Sequence, residues 1–524
     1  MNSKINELLR PKGRGIRPKI IPTLRFRDNS TCKLQFIPIH RDSCSLGLIK
    51  SSILFITFLF FALLLTTGYF AATASANTLL PSPDKIKYPQ LKFKLPQTQR
   101  VVLSNGIVLY ILEDHELPLI SINALVRTGS MYDPAGKEGT AELTAYLMRT
   151  GGTAKLSSTE IDDRFDYLAA SPSISMSMES ASVDFSFLAS DLDQSLDLLA
   201  QILIQPAFEQ NKFILARELK NEELRRLKDE PQRLAFREFN RLIYQNNPRG
   251  RFASIQSLSN IERDDLIKFH KQFFSPDKIM FAVTGDITKE QAINKIKQYF
   301  GQWELSGQST NVPTLPQKTK GGLYYIHKDV PQSTIICGEF SVSKNNPDFY
   351  AFTILDFIIG SGGFPSLILN AIRNNEGLAY SAGSFYRAKP EYGIFGAYAF
   401  TKTQSSFKTL NLINDILKIA KLNTITNKQI NWAKQSINNG FIFSFLDPRQ
   451  IALQQMKREY DQLPEDYLLT YRNKIEKVKA HDISRVAAKY LDEKNRIFLI
   501  LGDTKNFGEP LTIFGQPVLI NPAD

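Results

Sequence analysis

Behind residue 97, apolar side chains recur with two different periods, and the switches between them outline the fold. Val101 to Leu103 and Ile107 to Leu112 read as two strands around the turn dipeptide Asn105-Gly106, and Leu119 to Val126 reads as a third. A helical spacing begins at Gly139 and runs to Met148. Ser157-x-x-Glu160 forms a capping box that opens a second helix reaching Ala170. Ile174, Met176 and Met178, then Val183, Phe185 and Phe187, alternate with small or polar residues, the period of strands with one buried face. Amphipathic helices extend from Asp191 to Ile204 and from Asn211 to about Lys228. Strands and helices mixed in this order predict an α+β layer architecture.

The pattern repeats within the chain. Asp265 to Asp286, with Phe273, Phe281, Gly285 and Asp286, aligns without a gap on Asp482 to Asp503, with Tyr490, Phe498, Gly502 and Asp503, at a constant offset of 217 residues. In each copy a helix leads into a strand, Met280 to Thr284 or Ile497 to Leu501, that stops at Gly-Asp. A stretch rich in Gly, Ser, Thr and Pro, from Ser306 to Gly322, separates the copies. Duplication of one α+β unit follows, with domains at about 97–303 and 320–508, a linker at 304–319 and a tail at 509–524.

The front of the chain follows a different pattern. Ser51 to Pro83 carries no charge, and Ile53 to Leu65 is an almost unbroken apolar run behind a basic flank. Ala72, Thr73, Ala74, Ser75 and Ala76 give an A-x-A-like ending suited to cleavage after Ala76, so that the mature chain begins at Asn77. The competing reading is an uncleaved membrane anchor through residues 53–72. Residues 1–50 form a basic leader, with a misassigned start and true initiation near Leu46 as the alternative, and residues 77–96 read as a Pro- and Lys-rich tether. Either way the Lys/Arg excess before the apolar run places the bulk of the chain outside the cytoplasm, with a bacterial periplasm as the expected compartment.

Composition narrows the chemistry. The 524 residues, 43% of them hydrophobic and 22% charged, are enough for sizeable cores. Of the net charge of +12, eleven Lys/Arg against Glu7, Asp28 and Asp42 put +8 in the first 50 residues, which argues against nucleic acid as a partner. Cys32 and Cys44 precede the apolar segment and leave only Cys337 in the body, which excludes a disulfide scaffold and a cysteine-built metal cluster.

Several motifs then align in order. Gly129-Ser130, Asp133-Pro134, Gly139-Thr140-Ala141, Gly151-Gly152-Thr153, Ser157 to Ile161, Asp229-Glu230-Pro231, Tyr244 with Pro248 and Gly250, and Gly285-Asp286 together resemble the insulinase-like (pitrilysin, M16) zinc peptidase family over roughly residues 97–505. The resemblance implies two homologous α/β sandwich domains, each a mostly antiparallel sheet packed by helices, forming half of a clamshell. It also implies an inverted zinc motif, H-x-x-E-H, whose two imidazoles share a helix face around a catalytic Glu. The matching positions here are Glu142, Ala145 and Tyr146, so both imidazoles and the carboxylate are replaced. Glu142 is left with a local contact to Tyr146 or with solvent. Glu218, Glu222 and Glu223 lie where the family supplies a third, glutamate ligand, and read as a solvated helix face. His40, His115, His270, His327 and His481 are far apart in the chain and read as surface or packing residues, so no metal or other cofactor is expected in this chain.

The second half is closer to the family's pattern. Gly362-Gly363, Ser366, Leu367, Ile372-Arg373, Glu376 and Gly377-Leu378-Ala379-Tyr380-Ser381 resemble its C-terminal signature, in which an Arg and a Tyr seven residues apart hold substrate backbone. The matching pair is Arg373 and Tyr380; packing in a salt bridge and a core is the structural alternative. The resemblance therefore implies the zinc-free subunit of a two-chain peptidase, partnered by a zinc-bearing M16-like chain and acting on unfolded peptides. A structural or binding protein without a proteolytic role is the competing expectation.

Overall fold

A computed structural model describes residues 95–522 apart from 308–311, 313–314, 316–318 and 423. The leader, the apolar segment and all but the last two residues of the tether lie outside the described residues. The first sheet contains β1 (Gln99–Val102), β2 (Val108–Glu113), β3 (Leu119–Val126), β4 (Ser173–Met176), β5 (Ala181–Leu188) and β6 (Ile279–Gly285), in the spatial order β1-β2-β6-β3-β5-β4. The second contains β7 (Gly322–His327), β8 (Gln332–Ser341), β9 (Ala379–Ala388), β10 (Gly393–Lys402), β11 (Ile497–Gly502) and β12 (Pro517–Leu519), in the order β12-β7-β11-β8-β10-β9. Both sheets are mixed: β2 runs parallel to β6, and β11 and β12 run parallel to β7. The expected two α/β domains are therefore present. The capping box at Ser157 and Glu160 forms, although its helix stops at Tyr167 rather than Ala170, where Ala169 turns to a positive φ.

The internal echo is structural. β6 and β11 hold the same place, each between a parallel neighbour and an antiparallel one. The helices before them, Arg263–Phe273 and Ala480–Tyr490, are again 217 residues apart. Asp265 and Asp482 each accept the backbone N–H three residues earlier, of Glu262 and Lys479, and so close the first turn in the same way.

Strand periodicity gives each sheet two apolar faces. In the first, Leu109, Ile111, Ile122, Phe281 and Val283 point toward the half's own helices, whereas Tyr110, Met280 and Ala282 point the other way. That second face is covered by Ala452 and Met456 of the helix Pro448–Tyr460, which comes from the second half. Reciprocally, Leu234, Ala235, Phe239 and Ile243 of the helix Pro231–Tyr244 cover Ile326, Ile336, Ile394, Leu499 and Leu501 of the second sheet. These helices also start 217 residues apart, each with proline in its first turn, where the missing N–H costs no hydrogen bond. Phe239 lies over Gly338 so closely that a Cβ there would come within 2.8 Å of the ring. Polar clasps fix the exchange: Arg100 grips Glu459 at 2.6 and 2.7 Å, and the Tyr460 hydroxyl donates to the Glu179 carbonyl at 3.0 Å.

The second half holds a buried bidentate pair, Arg496 with Glu339 at 2.7 and 2.8 Å, close to the buried free thiol of Cys337. In the first half His270 is buried, its Nε2 2.9 Å from the Leu203 carbonyl and its ring stacked on Phe274. Burial lowers its pKa from 6.5 to about 4, so the folded chain holds it neutral.

Two outcomes are expected. Phe239→Ala should cost about 3–5 kcal/mol, read as a lower urea midpoint, because it opens a cavity between the halves. His270 is depressed in the folded state, so its contribution is full above about 6.5 and is lost as pH falls toward about 4. Stability curves of His270→Gln and the unchanged chain should therefore converge over that window, by about 3 kcal/mol in all; parallel curves would contradict the assignment.

Candidate functional site

The three positions aligned with the metal motif lie on the helix Thr140–Thr150. Buried Asp133 caps its N-terminus, accepting the N–H groups of Gly139 and Ala141 at 2.8 and 2.7 Å. Burial, with help from Glu142 and Glu138, pushes that carboxyl up to about 7 against those two hydrogen bonds. Of the three motif positions, Ala145 is buried, Tyr146 is exposed, and Glu142 turns to the neighbouring helix Gln210–Leu227.

Glu142 meets Lys220. The Lys220 Nζ lies 2.6 Å from Glu142 and 2.9 Å from Glu223, between the two carboxylates. Glu223 is also gripped by Arg233, which in turn lies 3.6 Å from Glu230. Burial pulls the Lys220 ammonium down, but the two carboxylates outweigh it and its pKa is raised. Burial raises the Glu223 carboxyl less than Lys220 and Arg233 lower it, so it is held below its ordinary value. Of the other two glutamates, Glu222 pairs with Arg225 and Glu218 is exposed.

This donor set does not fit zinc. Two carboxylates, Glu142 and Glu223, are both engaged by one ammonium, and among the described residues no imidazole joins them. His115 pairs with Asp286 at 2.7 Å, His327 meets Thr504 at 2.9 Å, His481 lies 3.1 Å from Asp482, and His270 is in the core; His40 lies outside the described residues. Among the described residues no group of three or more His, Cys, Asp or Glu side chains is placed to hold a metal ion.

In the second half, the structure brings Arg373 and Tyr380 together at the edge of the sheet. Arg373 lies in the last turn of a short helical stretch that follows Ser366 and ends at Asn375, and Tyr380 is the second residue of the edge strand β9. The guanidinium lies 4.4 Å from the Tyr380 ring centre and 4.9 Å from that of Phe364, and its Nη1 donates to the Tyr380 carbonyl at 3.4 Å. Both rings are exposed, Tyr380 at 79% and Phe364 at 59%. Two aromatic faces thus restrict the guanidinium while leaving N–H groups for oxygen acceptors. Phe364 was not singled out in the sequence; its place directly after Gly362-Gly363 was the only signal.

The loop that carries Phe364 is fixed from below. A Cβ on Gly362 would lie 2.5 Å from the Trp432 ring, so only glycine fits. Buried Asp356 accepts the hydroxyls of Ser361 at 2.7 Å and Ser384 at 2.6 Å, tying the loop to β9. Burial pushes this carboxyl up to about 6, against those two hydrogen bonds. A separate polar cavity of about 320 Å³ lies between the halves, around Glu179, Arg249, Lys389, Tyr392 and Tyr460. Glu179 joins the halves there, accepting from Arg249 at 2.6 Å and Tyr392 at 3.0 Å.

Comparison with known proteins gives concordant matches. The model of insulinase (peptidase family M16) matches residues 110–253, and that of the peptidase M16 inactive domain matches residues 260–437. An uncharacterized zinc protease of Rickettsia bellii is 23% identical over 400 residues, covering 76% of this chain and 94% of its own. The non-peptidase homolog YmxG of Helicobacter pylori is 23% identical over 402 residues, covering 75% and 91%. The crystal structure of a peptidase M16 inactive domain from Pseudomonas fluorescens superposes with a TM-score of 0.71 at 21% identity, covering 78% of this chain and 98% of that one.

Gly362→Ala is expected to force the loop off Trp432 at a cost of about 1–3 kcal/mol. A changed Trp432 emission and a lowered melting temperature would be the readout; an unchanged spectrum and melting temperature would show that the loop does not depend on that contact.

Proposed function

Because the chain belongs to the M16 (insulinase) peptidase family, with that family's inactive domain as its C-terminal part, we propose that it is the non-catalytic, substrate-binding subunit of an extracytoplasmic heterodimer. Arg373 and Tyr380 complete an active site whose zinc is held by the partner chain. The observation that carries this reading is the contrast between the halves. Where the family's metal motif falls, Glu142 and Glu223 are engaged by Lys220, while Tyr380 stands exposed beside a half-buried Arg373 that packs on the Tyr380 and Phe364 rings.

The chemistry of the pair suits an extended peptide. Packed near the Tyr380 and Phe364 rings, the guanidinium keeps N–H groups to offer to main-chain carbonyl or carboxylate oxygens. The Tyr380 hydroxyl adds a donor that can meet an oxygen gaining negative charge. The basic flank, apolar run and A-x-A ending support export, with an inner-membrane anchor through residues 53–72 as the variant without cleavage.

The second reading is a structural or binding protein with no part in proteolysis, favoured by the name of the Helicobacter pylori relative. Hydrolysis of a quenched fluorescent peptide by the chain from Asn77 onward, alone and mixed with an H-x-x-E-H-bearing M16 chain from the same source, separates the two. Cleavage is expected only in the mixture. There Arg373→Ala should lower it about tenfold or more while assembly stays intact. No cleavage in the mixture would favour the structural reading.

A further inference from the structure

We infer that Lys220 is a resident cation: its ammonium fills the space between Glu142 and Glu223 and closes this site to divalent metal even when the missing donor side chains are restored. The inference concerns the first half alone and stands whether or not the chain serves a peptidase.

Geometry is the first support. Glu142 and Glu223 lie on different helices, and a single Nζ at 2.6 and 2.9 Å satisfies both. Lys220 is the less exposed member of each pair, with 20% of its side chain accessible against 42% for Glu142 and 39% for Glu223. The carboxylates therefore reach inward to an ammonium that the helix interface already holds.

Charge is the second support. Glu142, Glu223 and Glu230 are met by Lys220 and Arg233; the next base, Arg237, is lowered by burial and opposed by Glu238 first and Glu142 second, and Glu238 itself pairs with Arg241 at 2.6 Å. Four acids (Glu142, Glu223, Glu230, Glu238) thus face four bases (Lys220, Arg233, Arg237, Arg241), and this set is neutral without a metal. A divalent ion between Glu142 and Glu223 would sit against the ammonium and leave two uncompensated positive charges. The Glu223 to Arg233 pair also carries the cluster into the helix Pro231–Tyr244, which covers the second sheet. The same lysine that stands in for a metal thus links the site to the packing of the two halves.

The test rebuilds the donor set. One chain carries Glu142→His, Ala145→Glu and Tyr146→His; a second adds Lys220→Ala. Each is equilibrated with zinc and dialysed, and bound zinc per chain is counted along with the zinc-dependent rise in melting temperature. The expected result is about one zinc in the chain lacking Lys220 and little in the chain that keeps it. Equal, stoichiometric zinc in both would overturn the inference. Should the rebuilt chains fail to fold, the otherwise unchanged chain decides. Lys220→Met should lower the melting temperature, and the loss should shrink by at least about half when Glu142→Gln is already present. Additive losses, or none, would overturn it equally.

Discussion

Each sheet of this protein has two apolar faces, and each half supplies helices for only one of them. The other is buried by a helix exchanged between the halves: Pro448–Tyr460 lies on Tyr110, Met280 and Ala282, and Pro231–Tyr244 lies on Ile336, Leu499 and Leu501. Neither sheet is complete alone, because an uncovered face of this kind would leave a large apolar surface in water. The exchange also fixes the sites. The helix that covers the second sheet bears Arg233, which holds Glu223 and through it the Lys220 cluster. The helix that covers the first sheet ends at Tyr460, which bonds the carbonyl of Glu179 beside the polar cavity between the halves.

On this frame the two halves have diverged in opposite directions. In the first, Glu142 and Glu223 close an ion cluster around Lys220, with Arg233 on its far side. In the second, the glycine-rich loop, Phe364, Arg373 and Tyr380 form an exposed arrangement of rings around one guanidinium. Two large aromatic side chains there stay in solvent beside a cation that donates a hydrogen bond to the Tyr380 carbonyl.

Much of the fold was legible in the sequence, because strand and helix periods are local. β3 matches the stretch Leu119 to Val126, and the capping box at Ser157 and the 217-residue echo between β6 and β11 both appear in the structure. The echo extends further than the sequence match, to the prolines that open the exchanged helices, since a shared backbone needs only a proline-started helix and not identical side chains. Long-range contacts were not legible. Lys220 stands 78 positions from Glu142, and nothing in the run around Glu218, Glu222 and Glu223 tells which side chain crosses to the other helix. Phe364 was hidden for the same reason, its role depending on how Gly362 turns the loop above Trp432. β12, which pairs with β7 beyond residue 508, is three residues long and too short to carry a period.

We propose that Lys220 is a fixed cation where a zinc-bearing M16 chain would hold its metal, and that any metal in a working assembly belongs to the partner. The most direct test is the zinc content of the purified, unaltered chain from Asn77 onward, measured alone and in its complex with an H-x-x-E-H-bearing chain. The account predicts far less than one zinc per chain alone and about one per heterodimer. One tightly held zinc in the chain alone would contradict it.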